Sequence, residues 1–183
     1  MLDASSSEGS TNFQKQINFV KDFVTKFRVG VSGTQFSVVT FSTSVKNEFW
    51  LRDNSYSYTL RNALSKITYA KGITNTHLAL DFVRQNSFLS VNGGRPDAEK
   101  IVIVLTDGQS TDPAKTKVAA EDLHLAGAQV ISVGIGSGIG AQELETIASD
   151  KQHSFKVATF DALRTIETQL HHAACQPPSI GIV

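Results

Sequence analysis

The sequence predicts a single α/β domain with a largely parallel sheet, and three observations carry that expectation. Apolar periodicity alternates along the chain between helical spacing and short β-branched or aromatic runs. The run KIVIVLT (Lys100 to Thr106) is continuously apolar behind its lysine, as in a strand buried on both faces of a parallel sheet. Turn residues separate the periodic segments, most clearly Gly93, Gly94 and Pro96 in the loop Ser90 to Lys100.

Taken in order, FQKQINFVKDFVTKF (Phe13 to Phe27) places Ile17, Val20, Phe23, Val24 and Phe27 at helical spacing, with Ser10 to Asn12 offering caps. TQFSVVTFS (Thr34 to Ser42) and VKNEFWL (Val45 to Leu51) read as neighbouring strands joined by a tight turn. Phe49 and Trp50 at the end of the second are expected to pack rather than to bind. YTLRNALSKI and the segment from Thr76 to about Gln85 suggest two helices. After the apolar strand, KTKVAAEDLHLAG reads as a helix ending at Gly127, a C-cap. QVISVGIG follows as a strand, AQELETIAS as a helix, HSFKVAT as a last strand and FDALRTIETQLHHAA as a closing helix. The first 175 residues form the domain in this reading, and residues 176–183, QPPSIGIV, begin a linker. One element is short. Only Met1 and Leu2 precede Asp3, so the first strand, normally central in such a sheet, is largely missing from the sequence.

Composition narrows the function. Among 183 residues, 17 basic and 17 acidic side chains leave a formal net charge of zero, which argues against nucleic acid or an anionic membrane as main partner. No apolar stretch approaches the roughly 20 residues of a membrane span. The polar run from Asp3 to Asn12 also lacks the pattern of a signal peptide. Cys175 is the single cysteine, so it has no internal disulfide partner. No nucleophile and base stand together, and the histidines, His77, His124, His153, His171 and His172, read as surface or helix-end residues.

Three polar signals fall where strands of an open parallel sheet deliver their C-terminal ends, the edge at which ligands gather. Asp3, Ser5 and Ser7 alternate at the exit of the truncated first strand, Thr74 and Thr76 precede a helix in KGITNTHLAL, and Asp107 leaves the apolar strand in VLTDGQS. Taken singly, each has a plain explanation as a helix cap or turn. Together, two carboxylates and several hydroxyls without nearby His or Cys make a hard oxygen-donor set, suited to Mg²⁺, Mn²⁺ or Ca²⁺ rather than zinc or copper. Few charged protein ligands would leave coordination positions for water or for a partner's carboxylate.

In DASSS (3–7), GITNTHLAL (72–80) and VIVLTDG (102–108) the sequence resembles the von Willebrand factor type A domain, also called the integrin I domain, and the likeness runs from residue 2 to about 174. The resemblance implies a doubly wound sheet with helices on both faces and a metal-ion-dependent adhesion site on its upper edge. Carried over residue by residue, it makes Asp3, Ser5, Ser7, Thr74 and Asp107 the metal ligands, with Mg²⁺ the expected ion. The three hydroxyls are implied as direct ligands in the ligand-bound form, and the two aspartates as direct or water-mediated ones. Thr74 is preferred over Thr76 by its distance from Gly72, which leaves Thr76 as a helix cap. His77, Gly108 and Gln109 stand beside these positions as the rim. GIGSGIG leaves no room for the extra helix of collagen-binding integrin domains, so the likeness is closer to matrix-type A domains of matrilins and non-fibrillar collagens. In such matrix members the cysteine after the last helix often pairs with one before the first strand, which would give Cys175 a partner outside this segment.

The function implied is a non-catalytic adhesion or extracellular-matrix module, part of a larger secreted multidomain protein, that binds a carboxylate of a protein such as collagen through the bridging cation. Two alternatives differ in kind. One is a structural A domain that binds proteins without metal. The other is a nucleotide-dependent enzyme, suggested by Gly136, Gly138 and Ala141 in a GxGxxA pattern, although Asp161, about 20 residues on, falls at a helix start instead of a strand end.

Overall fold

The structure, a computed structural model, describes residues 1–175; the linker expected over 176–183 lies outside the described residues. Six strands form one sheet in the order β3-β2-β1-β4-β5-β6. They are β1 (Leu2–Asp3), β2 (Val38–Phe41), β3 (Val45–Phe49), β4 (Lys100–Thr106), β5 (Ala128–Ile135) and β6 (Ser154–Val157). All neighbours run parallel except β2 and β3, an antiparallel hairpin closed by a Ser42 N–H to Ser44 carbonyl bond of 3.0 Å.

Among the described residues six α-helices cover the sheet: α1 (Gly9–Phe23), α2 (Ser57–Leu64), α3 (Thr76–Phe82), α4 (Pro113–Leu125), α5 (Ala141–Ile147) and α6 (Glu167–Cys175). Strand side chains alternate between the two faces, and so do their partners. Leu105, Ile131, Val133 and Ile135 pack with Phe13 and Ile17 of α1, Leu60 of α2 and Leu170 of α6. Val102, Val104 and Val130 pack with Leu80 of α3 and Leu123 of α4. Two apolar cores on opposite faces of one sheet are what makes the fold doubly wound.

Several boundaries differ from the sequence reading. Ser10 to Asn12 lie inside α1 and cap nothing. The N-cap position is Glu8, whose side chain makes no capping bond because it turns inward to Gln16. The α-helix stops at Phe23, and Val24–Lys26 tighten into a 3₁₀ turn. Thr76 is the first residue of α3, not its cap, and Asn75 precedes it without a side-chain capping bond. The expected helix continuing to Gln85 ends at Phe82 and passes into a π turn over Val83–Ser87. The closing helix begins as a 3₁₀ segment, Phe160–Ile166, before α6. His153 is buried instead of superficial, held by Asp150 at 2.7 Å and by Gln129 at 2.6 Å. Trp50 stacks on Phe82 with ring centroids 6.0 Å apart, and Phe49 is buried, as packing residues. No helix lies between Ile135 and Ala141, and Gly127 ends α4 with φ +80. Cys175 is exposed as a free thiol.

The short first strand does occupy the centre of the sheet. Leu2 pairs with Thr40 and Leu105, and Asp3 with Phe41. The Met1 amino group donates to the Ile103 carbonyl at 2.7 Å. Below that point β2 and β4 face each other across a cleft of about 480 Å³, lined by Phe19, Phe23, Val38, Val39, Ile101 and Val102 among others. The loop that follows β1 leaves from this central position.

Candidate metal centre

The strand order reverses between β1 and β4, the two central strands, and both carry their C-terminal ends to the same edge. Asp3 leaves β1 there and Asp107 follows the last residue of β4. Two side chains tie the strand ends together. Thr106 donates from its hydroxyl to Asp3 Oδ2 at 2.6 Å, and Ser7 donates from Oγ to Asp107 Oδ1 at 2.8 Å.

The Asp3–Ser7 loop is shaped by its own backbone and by the chain before α3. Asp3 Oδ1 accepts the Ser5 N–H at 2.8 Å, and the Ser5 and Ser7 hydroxyls lie 2.9 Å apart. The Ser6 N–H donates to the Gly72 carbonyl at 2.8 Å, the Gly72 N–H donates back to Ser6 Oγ at 2.9 Å, and Tyr69 Oη donates to the Ser5 carbonyl at 3.0 Å. Gly72 has φ +109, and a Cβ there would overlap Thr43 Oγ1, so the position requires glycine. This lacing brings Thr74 to the site. A Cβ built on Gly108 would stand 3.1 Å from Ser7 Oγ and 3.7 Å from Thr74 Oγ1, so both hydroxyls converge on the same backbone turn.

Asp3, Ser5, Ser7, Thr74 and Asp107 are thus brought to one crevice, Asp3 and Ser5 at its floor and Ser7 exposed at its mouth. Gly108 is buried against Ser7, and Gln109 is exposed beside it with its N–H bonded to the Gly138 carbonyl at 3.1 Å. His77, half-buried on the first turn of α3, makes no hydrogen bond to the five oxygen residues among the described residues.

Two residues absent from the sequence reading belong here. Thr106 accepts the Gly108 N–H at 3.3 Å while bonding Asp3, which makes it the hinge pin of the site. Glu8 is 2% exposed, and one of its carboxylate oxygens lies with oxygens of Asp3 and Asp107 in a set whose members are all within 4.8 Å of one another. A threonine at a strand end and a glutamate before a helix are common enough that neither gave a signal of its own.

The electrostatics of the crevice are one-sided. Burial raises the Asp3 carboxyl above its usual range, opposed by hydrogen bonds from Ser5 and Thr106, and the Asp107 charge adds to the rise. Burial also raises Asp107, opposed by Ser7. Glu8 is pushed up to about 10, by burial and then by the charges of Asp3 and Asp107. Among the described residues no Lys, Arg or His forms an ion pair with any of the three. Acidic groups gathered without a cationic side chain, with hydroxyls filling the spaces, fit a hard divalent cation.

The GxGxxA segment forms a different surface. Ile139 is fully buried, its carbonyl accepts from Lys156 Nζ at 2.7 Å, and Gly138 lies against the Asp107 backbone. Asp161 pairs with Lys15 of α1 at 2.6 Å.

A doubly wound sheet with an acidic, hydroxyl-lined crevice at its switch point places this chain among α/β modules that gather polar loops at one sheet edge. The von Willebrand factor type A domain matches residues 1–169, and the chain belongs to that family. It is 34% identical over 177 residues to the collagen alpha-6(VI) chain of Mus musculus, covering 97% of this chain and 8% of that one. It is 33% identical to matrilin-1 of Gallus gallus over 96% of this chain and 35% of the relative. A solved structure of proximal thread matrix protein 1 from the mussel byssus, whose metal-ion-dependent adhesion motif is occupied by zinc, superposes with a TM-score of 0.90 at 35% identity over 95% of this chain and 46% of that one. The chain therefore spans less than half the length of these relatives. It is a von Willebrand factor A domain of the kind found in adhesion and extracellular-matrix proteins.

Proposed function

We propose that this domain is a non-catalytic, extracellular protein-binding module that captures a carboxylate of a matrix protein, collagen among the candidates, through a divalent cation at the Asp3–Asp107 crevice. Asp3, Ser5, Ser7, Thr74 and Asp107 hold the ion, Mg²⁺ by preference, and His77, Gly108 and Gln109 form the rim. Bound there, the cation supplies an electrophilic coordination position for a carboxylate oxygen. The chain's own residues do the rest. Thr106 and the Ser5 N–H fix the Asp3 carboxylate, Ser7 turns its hydroxyl toward Asp107, and the Gly72 turn holds the loop against the chain before Thr74. Residues 1–175 are the working unit, with a linker beginning at 176 toward further domains of a larger secreted protein.

The observation that carries the reading is the Ser7 to Asp107 contact at 2.8 Å, which joins two motifs a hundred residues apart into one donor set. Mg²⁺ prefers six oxygens near ~2.1 Å and keeps several of its waters, so the exposed mouth of the crevice suits exchange of a water for a partner's oxygen. The test is adsorption of the domain to immobilised collagen in Mg²⁺ and in EDTA, beside Asp107→Ala. Binding that disappears in EDTA and in the variant supports the proposal, and binding unchanged by chelation refutes it.

A further inference from the structure

Glu8 is a buried carboxyl group placed one residue beyond the motif, and among the described residues no cationic side chain pairs with it. Its only hydrogen-bond partner among the described residues is the Gln16 amide, which donates to its two oxygens at 2.9 and 2.8 Å. The same Gln16 Nε2 reaches the Asp3 carbonyl at 2.9 Å, so one fully buried side chain of α1 locks Glu8 to the backbone that carries Asp3. A glutamate serving only to fill this space would set a third acidic group against Asp3 and Asp107 in a buried place, at a cost that a neutral residue avoids. A divalent cation offsets that cost.

We infer that Glu8 is a third carboxylate of the cation site, closing on the ion with Asp3 and Asp107 directly or through one water. This rests on the cation-binding reading given above. Two aspartates neutralise a divalent ion and leave it fully receptive to a partner's carboxylate. A third acidic ligand leaves the site with one net negative charge. The ion is then held more tightly, and its pull on an acidic partner is weaker than in a site made from the five motif residues alone. Glu8 sets the balance between keeping the cation and presenting it.

Calorimetric titration of MnCl₂ and of MgCl₂ into the wild-type domain, Glu8→Gln and Asp107→Ala tests this. Glu8→Gln keeps the shape and removes the charge. It is expected to weaken both cations by about tenfold or more, in keeping with the dependence of such sites on ligand charge. Its melting temperature in EDTA should equal or exceed that of wild type, while the rise produced by Mn²⁺ shrinks, an outcome that a purely structural Glu8 does not produce. Glu8→Asp, shorter but still charged, covers the case of a Glu8→Gln variant that does not fold, and its affinity should fall by less than tenfold but measurably. Wild-type affinity in either Glu8 variant overturns the inference. Wild-type affinity in Asp107→Ala as well would place the failure in the cation-binding reading itself.

Discussion

Thr106 donates its hydroxyl proton to Asp3 at 2.6 Å and accepts the Gly108 N–H at 3.3 Å, so one side chain at the end of β4 aims both the carboxylate of β1 and the turn that carries Asp107. Thr106→Val keeps the branched shape and removes both bonds. A lost hydrogen bond to a buried acidic group costs about 2 kcal/mol. Chemical denaturation should show that loss, and cation affinity should fall with it, because Asp3 is no longer held.

Gly72 tests the lacing of the loops. With φ +109 and Thr43 Oγ1 in the path of any Cβ, Gly72→Ala strains the backbone by about 1–3 kcal/mol. The turn also donates to Ser6 Oγ, so the variant should lose cation affinity as well as stability, whereas Gly127→Ala, at φ +80 with open space around it, should lose stability alone. Melting curves with and without Mn²⁺ separate the two.

The pH dependence of the cation-free domain follows from the raised carboxyls. Glu8 sits at about 10 in the folded chain against 4.5 as its ordinary value, and Asp3 and Asp107 are raised as well. The folded state therefore holds protons that the unfolded chain has released, and stability falls as pH climbs from roughly 4.5 toward 10. Saturating Mg²⁺ should flatten that slope by favouring the ionised forms. Urea midpoints measured in EDTA at a series of pH values check the sign, and a midpoint that rises through this window would contradict it.

Asp150 bears on the frame alone. Its Oδ1 accepts from the Gln152 N–H at 2.8 Å, the His153 N–H at 3.1 Å and His153 Nδ1 at 2.7 Å, capping the turn that leads into β6. Asp150→Ala should cost about 1–2 kcal/mol in denaturant unfolding, as for a lost cap, and leave Mn²⁺ affinity unchanged.

What was legible in the sequence followed from burial. KIVIVLT reads as a central strand because Val102 and Val104 face one core and Leu105 the other. Asp3, Ser5 and Ser7 read as a set because their spacing matches a motif whose other members stand in the turn before α3, at Thr74, and just past the end of β4, at Asp107. What was not legible depends on contacts between distant residues. Ser10 to Asn12 look like caps until Glu8 turns inward to Gln16 and the helix starts earlier. Glu8 itself carries no mark of burial, since an acid before a helix is ordinary on a surface, and only the packing of α1 against β1 encloses it. The 3₁₀ ending at Val24–Lys26 and the π turn at Val83–Ser87 continue the apolar pattern of the helices before them, so periodicity alone does not separate them.

The most direct measurement is the position of a Mn²⁺ ion, by anomalous diffraction from crystals of the domain soaked in MnCl₂. A single strong peak among the oxygens of Asp3, Ser5, Ser7, Thr74 and Asp107, absent from crystals of Asp107→Ala, is the expected result. A peak elsewhere on the surface, or none in that crevice at millimolar Mn²⁺, would contradict the cation-bridged account.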